Sequence, residues 1–221
     1  MTLPTQPGPR TARQQELFDE LLRAFLAEGF ADFTIDSATV TLRCSKTTIY
    51  SLGRTREELI RRVIIEFFRD VAERSSAELH TENPATVRLR RYLGAMAEAL
   101  RPASPQFMRE VATHPLAEGI YRENIEVVSR RLQQLLAEGM ASGELRQVPA
   151  QFVASVATLT MGHIQQQAGL GEVDGGEAYR QLGALLVDGI TARPDAGKRY
   201  SAVDQVADGD DLVAPGTDAD A

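Results

Sequence analysis

Six apolar residues recur at i, i+3, i+4, i+7, i+8 and i+11 in one stretch: Ile60, Val63, Ile64, Phe67, Phe68 and Val71. That is the spacing of one face of an α-helix, and so wide a stripe is stable only against other packed elements. Thr55 and Glu58 make an S/T-x-x-E capping box that opens this helix, which is expected to run to about His80. The same period recurs on both sides. Residues 11–28 place Phe18, Leu21, Leu22, Phe25 and Leu26 on one face, and Gly29 is a suitable stop because glycine tolerates positive φ. After Pro84 come Leu89, Leu93, Met96 and Leu100, then a short helix over 105–113. A long helix over 116–142 carries Tyr121, Ile125, Val128, Leu132 and Leu135, and helices over 149–167 and 178–191 follow, joined by the glycine-rich GLGEVDGGE. No window alternates as a strand does. The expected fold class is all-α, with about nine helices.

Residues 34–59, TIDSATVTLRCSKTTIYSLGRTREEL, differ in character from the rest. Thr34 suits the N-cap of a short second helix with Ile35, Ala38 and Leu42 facing inward, and Ser45 suits the N-cap of a third, Lys46 to Leu52. On that third helix Ile49 and Leu52 can lock onto a core, which leaves Lys46, Thr47, Thr48, Tyr50 and Ser51 outward. Two short helices joined by a turn, the second presenting hydrogen-bond donors, read as a helix-turn-helix that enters a DNA groove.

Charge supports that reading only when taken locally. The 221-residue chain has a formal net charge of −7. Between Arg43 and Arg62, however, six basic residues (Arg43, Lys46, Arg54, Arg56, Arg61, Arg62) stand against Glu57 and Glu58, a net +4. The acidity collects in residues 194–221, with seven aspartates against Lys198 and Arg199, a net −5. A locally positive surface attracts nucleic acid even when the whole chain is acidic.

The 11–60 stretch resembles the DNA-binding domain of the tetracycline-repressor (TetR) family of bacterial transcriptional regulators. The residues that carry the likeness are Thr34, then Ser45-Lys46-Thr47-Thr48-Ile49-Tyr50, then Arg56-Glu57-Glu58-Leu59. Two positions depart from the family pattern. Arg43 stands where a turn glycine is usual, and a left-handed backbone there costs arginine roughly 1 kcal/mol. Gly53 stands where a bulky aromatic is usual, after Leu52.

Three prolines and a glycine in 1–10 predict a disordered lead-in, and the aspartate- and alanine-rich residues 194–221 a disordered acidic tail; between them the resemblance implies a helix-turn-helix domain (11–54) and a helical ligand-binding and dimerisation domain (55–193). Lys46, Thr47 and Ser51 are candidates for base-edge contacts. Thr48, Tyr50, Arg54 and Arg56 are candidates for phosphates, with Ser45 at the helix start, Thr34 at the start of the second helix and Arg43 in the turn. Arg10 and Arg13 offer a minor-groove arm as the alternative to a disordered lead-in.

One short reading helix specifies a site poorly, so a two-fold homodimer is implied. The last two helices supply its expected interface: Phe152, Val156, Leu159 and His163 on one, Tyr179, Leu182, Leu186 and Ile190 on the other. The first of these also carries a second stripe, Val153, Thr160 and Ile164, suited to its own core. Met96, Leu100, Phe107, Met108, Tyr121, Ile125 and Met161 are candidate lining of a pocket for a small apolar effector. The function expected is a ligand-responsive repressor, released from a palindromic operator on double-stranded DNA. The alternative is a helical interaction or ligand-binding scaffold without sequence-specific DNA binding.

Enzymatic chemistry finds little footing, and no cofactor or metal is expected. His80, His114 and His163 lack the i, i+4 pairing of a helical metal site. Cys44, the one cysteine, fits a reducing compartment and reads as core rather than redox sensor. No apolar run approaches the ~18 residues of a membrane span, and the first residues lack a signal-peptide core, so a cytoplasmic protein is expected.

Overall fold

The computed structural model describes residues 10–77, 82–167, 169–171 and 173–192. The segments 1–9, 78–81 and 193–221, which include His80 and the acidic tail, lie outside the described residues. Nine helices are present among the described residues: α1 (Ala12–Glu28), α2 (Ile35–Thr41), α3 (Lys46–Leu52), α4 (Arg56–Ser76), α5 (Ala85–Leu100), α6 (Pro105–Thr113), α7 (Glu118–Ala141), α8 (Ala150–Gln167) and α9 (Gly175–Ile190). The all-α class holds, with one small exception. The glycine-rich link forms a two-residue antiparallel ladder, β1 (Gly169–Leu170) against β2 (Val173–Asp174), and α9 begins three residues earlier than its apolar period suggests.

Local capping explains where the first helices begin. The Thr11 hydroxyl accepts from the Gln14 amide while the Gln14 side chain accepts from the Thr11 N–H, a reciprocal box before α1. Thr34 and Ser37 repeat that arrangement before α2. Ser45 and Thr55 each accept the N3 amide of the next helix, Thr48 and Glu58 respectively. The Thr55 box is not reciprocal, because the Glu58 carboxylate accepts instead from the Arg54 N–H at 2.8 Å and pairs with Arg62.

Packing then joins everything. The α4 stripe from Ile60 to Val71 is wholly buried, as its period requires. One continuous hydrophobic cluster runs from Leu17 in α1 to Ile190 in α9, with no break between residues 11–54 and 55–193. Helix α4 belongs to both parts: it packs on α1, reaches the α1–α2 turn and the end of α3 through Arg56 and Arg62, and lies against α5 and α7. Helix α5 lies against α4, α7 and α9, while α8 lies against α6, α7 and α9. No helix among the described residues is long and apolar enough to cross a membrane.

Candidate nucleic-acid interface and effector cavity

Helix α3 is seven residues long, with Ile49 and Leu52 buried behind it and Lys46, Thr47, Tyr50 and Ser51 exposed in front. Thr48 is half-buried, and its hydroxyl shares a hydrogen bond with the Ser45 hydroxyl at 2.9 Å. Ser51 donates to the Thr48 carbonyl at 2.7 Å. Tyr50 is 46% exposed, large for an aromatic residue, and no ring packs on it among the described residues. Lys46 Nζ meets Asp36 Oδ1 of α2 at 2.5 Å, and that hydrogen bond to the carboxylate raises the lysine's pKa. A phosphate or base edge reached by Lys46 therefore replaces Asp36 as its partner.

The turn before α3 realises the strained conformation considered for Arg43. Its φ is +48°, and it is the one non-glycine residue with positive φ among the described residues. The side chain is exposed and makes no ion pair among the described residues. Gly53, after α3, has a different reason. Its backbone is extended, with φ −174°, but a Cβ there would stand 2.9 Å from the Leu59 side chain. The glycine lets α3 end directly against α4.

Two of the six clustered cations are structural rather than displayed. Arg56, expected at a phosphate, donates to the carbonyls of Phe33 at 2.6 Å, Ala31 at 2.7 Å and Phe30 at 3.3 Å. Arg62 donates to the Leu52 carbonyl at the end of α3. Arg56 thus braces the turn between α1 and α2 from behind, and Arg62 takes a carbonyl that the end of α3 leaves open. Arg43, Lys46, Arg54 and Arg61 remain exposed. The Thr34 hydroxyl is likewise occupied in its own cap. Arg10 does not extend as an arm: its guanidinium lies 3.6 Å over the Phe18 ring and bonds Gln15. Arg13 pairs with Glu16 on α1. Cys44 is partly buried, and desolvation raises its thiol pKa, away from the thiolate a redox sensor needs.

The turn over 29–33 is held from two sides. Arg56 takes its carbonyls, and the Glu110 carboxylate of α6 takes the N–H groups of Phe30 at 2.5 Å and Ala31 at 2.8 Å. Gly29 is required twice over: its φ is +84°, and a Cβ there would fall 2.5 Å from Glu110 Oε1. The Ser104 N–H, just before α6, also donates to the Leu26 carbonyl at 2.7 Å. Helix α6 thus grips the end of α1.

A small cavity lies between α4, α5, α7 and α8. Five of the seven expected residues line it (Met96, Leu100, Tyr121, Ile125 and Met161), together with Phe68, Val71, Val128 and Gly162. Asn124, Thr158 and Gln165 add polar groups that apolar periodicity does not reveal. Phe107 and Met108 are not at the cavity. They are core residues, and Phe107 stacks edge-on against Phe30 and Phe67. A chain of rings leads from the cavity to the turn: Tyr121 to Phe68 at 6.1 Å, Phe67 at 5.1 Å, Phe107 at 5.3 Å and Phe30 at 5.9 Å.

The expected dimer residues divide. On α8, Phe152 and Leu159 are 66% and 75% exposed, and Val156 and His163 are exposed beside them. On α9, Tyr179, Leu182 and Ile190 are buried in their own subunit and Leu186 is half-buried, so that stripe is the core face. The Tyr179 hydroxyl accepts from Gln165 of α8, and burial pushes its pKa far up. The outward apolar residue of α9 is Leu185, 73% exposed. A single stripe at helical spacing does not say whether its partner lies in the same chain.

Comparison with solved structures identifies this arrangement. The TetR-family regulator PfmR of Thermus thermophilus matches 78% of this chain and 97% of its own, with TM-score 0.64 and 16% identity. The chain has the TetR fold. The ketosteroid transcriptional regulator KstR2 of Mycobacterium tuberculosis is similar over 84% of this chain and 98% of its own, with TM-score 0.63 and 16% identity. A Saccharomonospora viridis protein assigned as a transcriptional regulator, crystallised with choline, covers 83% of this chain and all of its own, with TM-score 0.68 and 18% identity. In sequence, uncharacterised HTH-type transcriptional regulators of Mycobacterium bovis and Mycobacterium tuberculosis are 35% identical over 69 residues, 31% of this chain. The chain matches about a third (34%) of the length of these curated relatives. No family model matches the chain.

Proposed function

We propose that this chain is a homodimeric, DNA-binding transcriptional regulator whose operator affinity falls when a small effector binds the α4–α5–α7–α8 cavity. The observation that carries it is α3: a short helix with an apolar back, a cationic and hydroxyl-bearing front, and a brace from Arg62 at its end, while Arg56 braces the turn before α2. The stretch similar to HTH-type regulators and the whole-chain likeness to TetR-family structures support the same reading. So do a neighbour crystallised with choline and another named as a ketosteroid transcriptional regulator.

Groove geometry sets the mechanism. Lys46, Thr47 and Ser51 face base edges, whereas Thr48, Tyr50, Arg43 and Arg54 face phosphates that fix register. Two copies joined through the exposed α8 stripe and Leu185 place two α3 helices on half-sites one duplex turn, or a multiple of it, apart. Effector binding parts the helices around the cavity and moves the ring chain. Through Phe107 and Glu110 that motion reaches the turn that orients α2 and α3, a shift between two states rather than a graded distortion.

Selection of bound sequences from a random duplex pool tests the function directly. A palindromic site with salt-dependent affinity is expected. The double change Lys46→Ala, Tyr50→Ala is expected to abolish that binding while the helical circular-dichroism signal and dimer mass stay unchanged. If the wild type prefers no duplex, the DNA-binding reading falls and a ligand-binding scaffold takes its place.

A further inference from the structure

The cavity's polar inventory narrows the chemistry of its ligand, given the reading that an effector binds there. Among the described residues, none that lines it carries a charge at neutral pH, and burial raises the Tyr121 pKa further from titration. Transfer of an unpaired ion into such surroundings costs several kcal/mol. Most of the polar groups are already engaged. The Thr158 hydroxyl donates to the Ala154 and Ser155 carbonyls of its own helix. The Gln165 amide nitrogen donates to Tyr179. Asn124 alone among these lining side chains has no hydrogen-bond partner among the described residues, so its NH2 group is an open donor on an apolar wall.

The free space is small. The cavity volume is about 20 Å3, room for about one water. Gly162 contributes to what space there is, since a Cβ there would stand 3.1 Å from the Tyr121 hydroxyl. A ligand larger than a water must therefore part α7 and α8 from α4 and α5 to be accommodated.

We propose that the cavity takes an uncharged, mostly apolar molecule bearing one hydrogen-bond acceptor, such as a carbonyl oxygen, which docks on the Asn124 amide. Asn124 is thereby the residue that sets ligand class. A carboxylate finds no cation in this lining, and an ammonium finds no carboxylate.

The test uses full-length protein and matched probes: ketones, carboxylates and primary ammonium ions built on cyclohexyl, octyl and naphthyl skeletons. Thermal shift and calorimetric titration read binding. Ketones are expected to raise Tm, and the charged sets are not. Asn124→Leu, close in shape, is expected to weaken ketone binding about tenfold, the scale of one lost hydrogen bond. Asn124→Asp is expected to move the preference to the ammonium set, which keeps the proposal testable should the leucine variant fail to fold. Preference for a charged set in the wild type, unchanged ketone affinity in Asn124→Leu, or no stabilisation by any set overturns it. Duplex binding is measured separately in the same samples. Loss of all duplex binding with ketone binding retained overturns the regulator reading while the ligand assignment stands, and the converse result overturns only the assignment.

Discussion

Replacing Arg43 by glycine separates two roles that one residue holds at once. Its φ of +48° puts an L side chain in the left-handed region, where a strain of roughly 1 kcal/mol lies at the low end of a range that reaches about 2 kcal/mol. Glycine removes that strain but adds about 0.4–1 kcal/mol of unfolded-chain entropy. The net expected gain is about 0.5–1 kcal/mol, which for a chain of this size raises Tm by about 1–4 °C. On DNA the effect has the opposite sign. In the proposed complex the exposed guanidinium would meet one phosphate in each subunit, so a dimer would lose two such contacts. The slope of log K against log salt concentration should then shrink in magnitude by about 1.8. Calorimetry gives the first quantity, and fluorescence anisotropy across a salt series gives the second. A Tm that falls refutes the strain argument, because it means that the side chain contributes more than its backbone costs. An unchanged salt slope refutes the phosphate contact.

Three further outcomes follow from the same geometry. Glu110→Ala leaves the Phe30 and Ala31 amides without their carboxylate, so about 2 kcal/mol of stability should be lost. Hydrogen exchange at those two amides should quicken, and duplex affinity should drop although no DNA-facing residue has changed. The paired change Phe152→Glu, Leu159→Glu places charge on the exposed α8 stripe and should halve the mass seen by light scattering, with helicity retained. Glu144 meets a desolvation penalty, but hydrogen bonds from the Thr86 and Ala85 amides outweigh it and hold its carboxyl below its ordinary value. A depressed carboxyl stabilises the fold above its unfolded pKa, and that contribution is lost as pH falls through the folded one. Glu144→Gln should thus lower Tm at neutral pH, with the gap from wild type closing in acid.

Local rules were legible along the chain. Ser45, Thr34 and Thr55 cap where a hydroxyl before an apolar period says they should, and Ile49 and Leu52 point inward on α3 as their spacing requires. The four-helix cavity was legible in part. Met96, Leu100, Tyr121, Ile125 and Met161 converge, because residues on the inward faces of neighbouring helices have few other places to go. These features depend on hydrogen bonds and periods within a few residues, and a sequence displays them directly.

What only the tertiary structure decided concerns partners distant in the chain. Arg56 and Arg62 look the same in sequence as Arg43 and Arg54, yet they turn inward, to carbonyls of the turn between α1 and α2 and of the end of α3. Glu110 reaches a turn 80 residues earlier, and no spacing announces it. On α9 the stripe from Tyr179 to Ile190 faces its own core and Leu185 faces out. Helical period tells which residues share a face, but only the placement of the other helices says what that face meets.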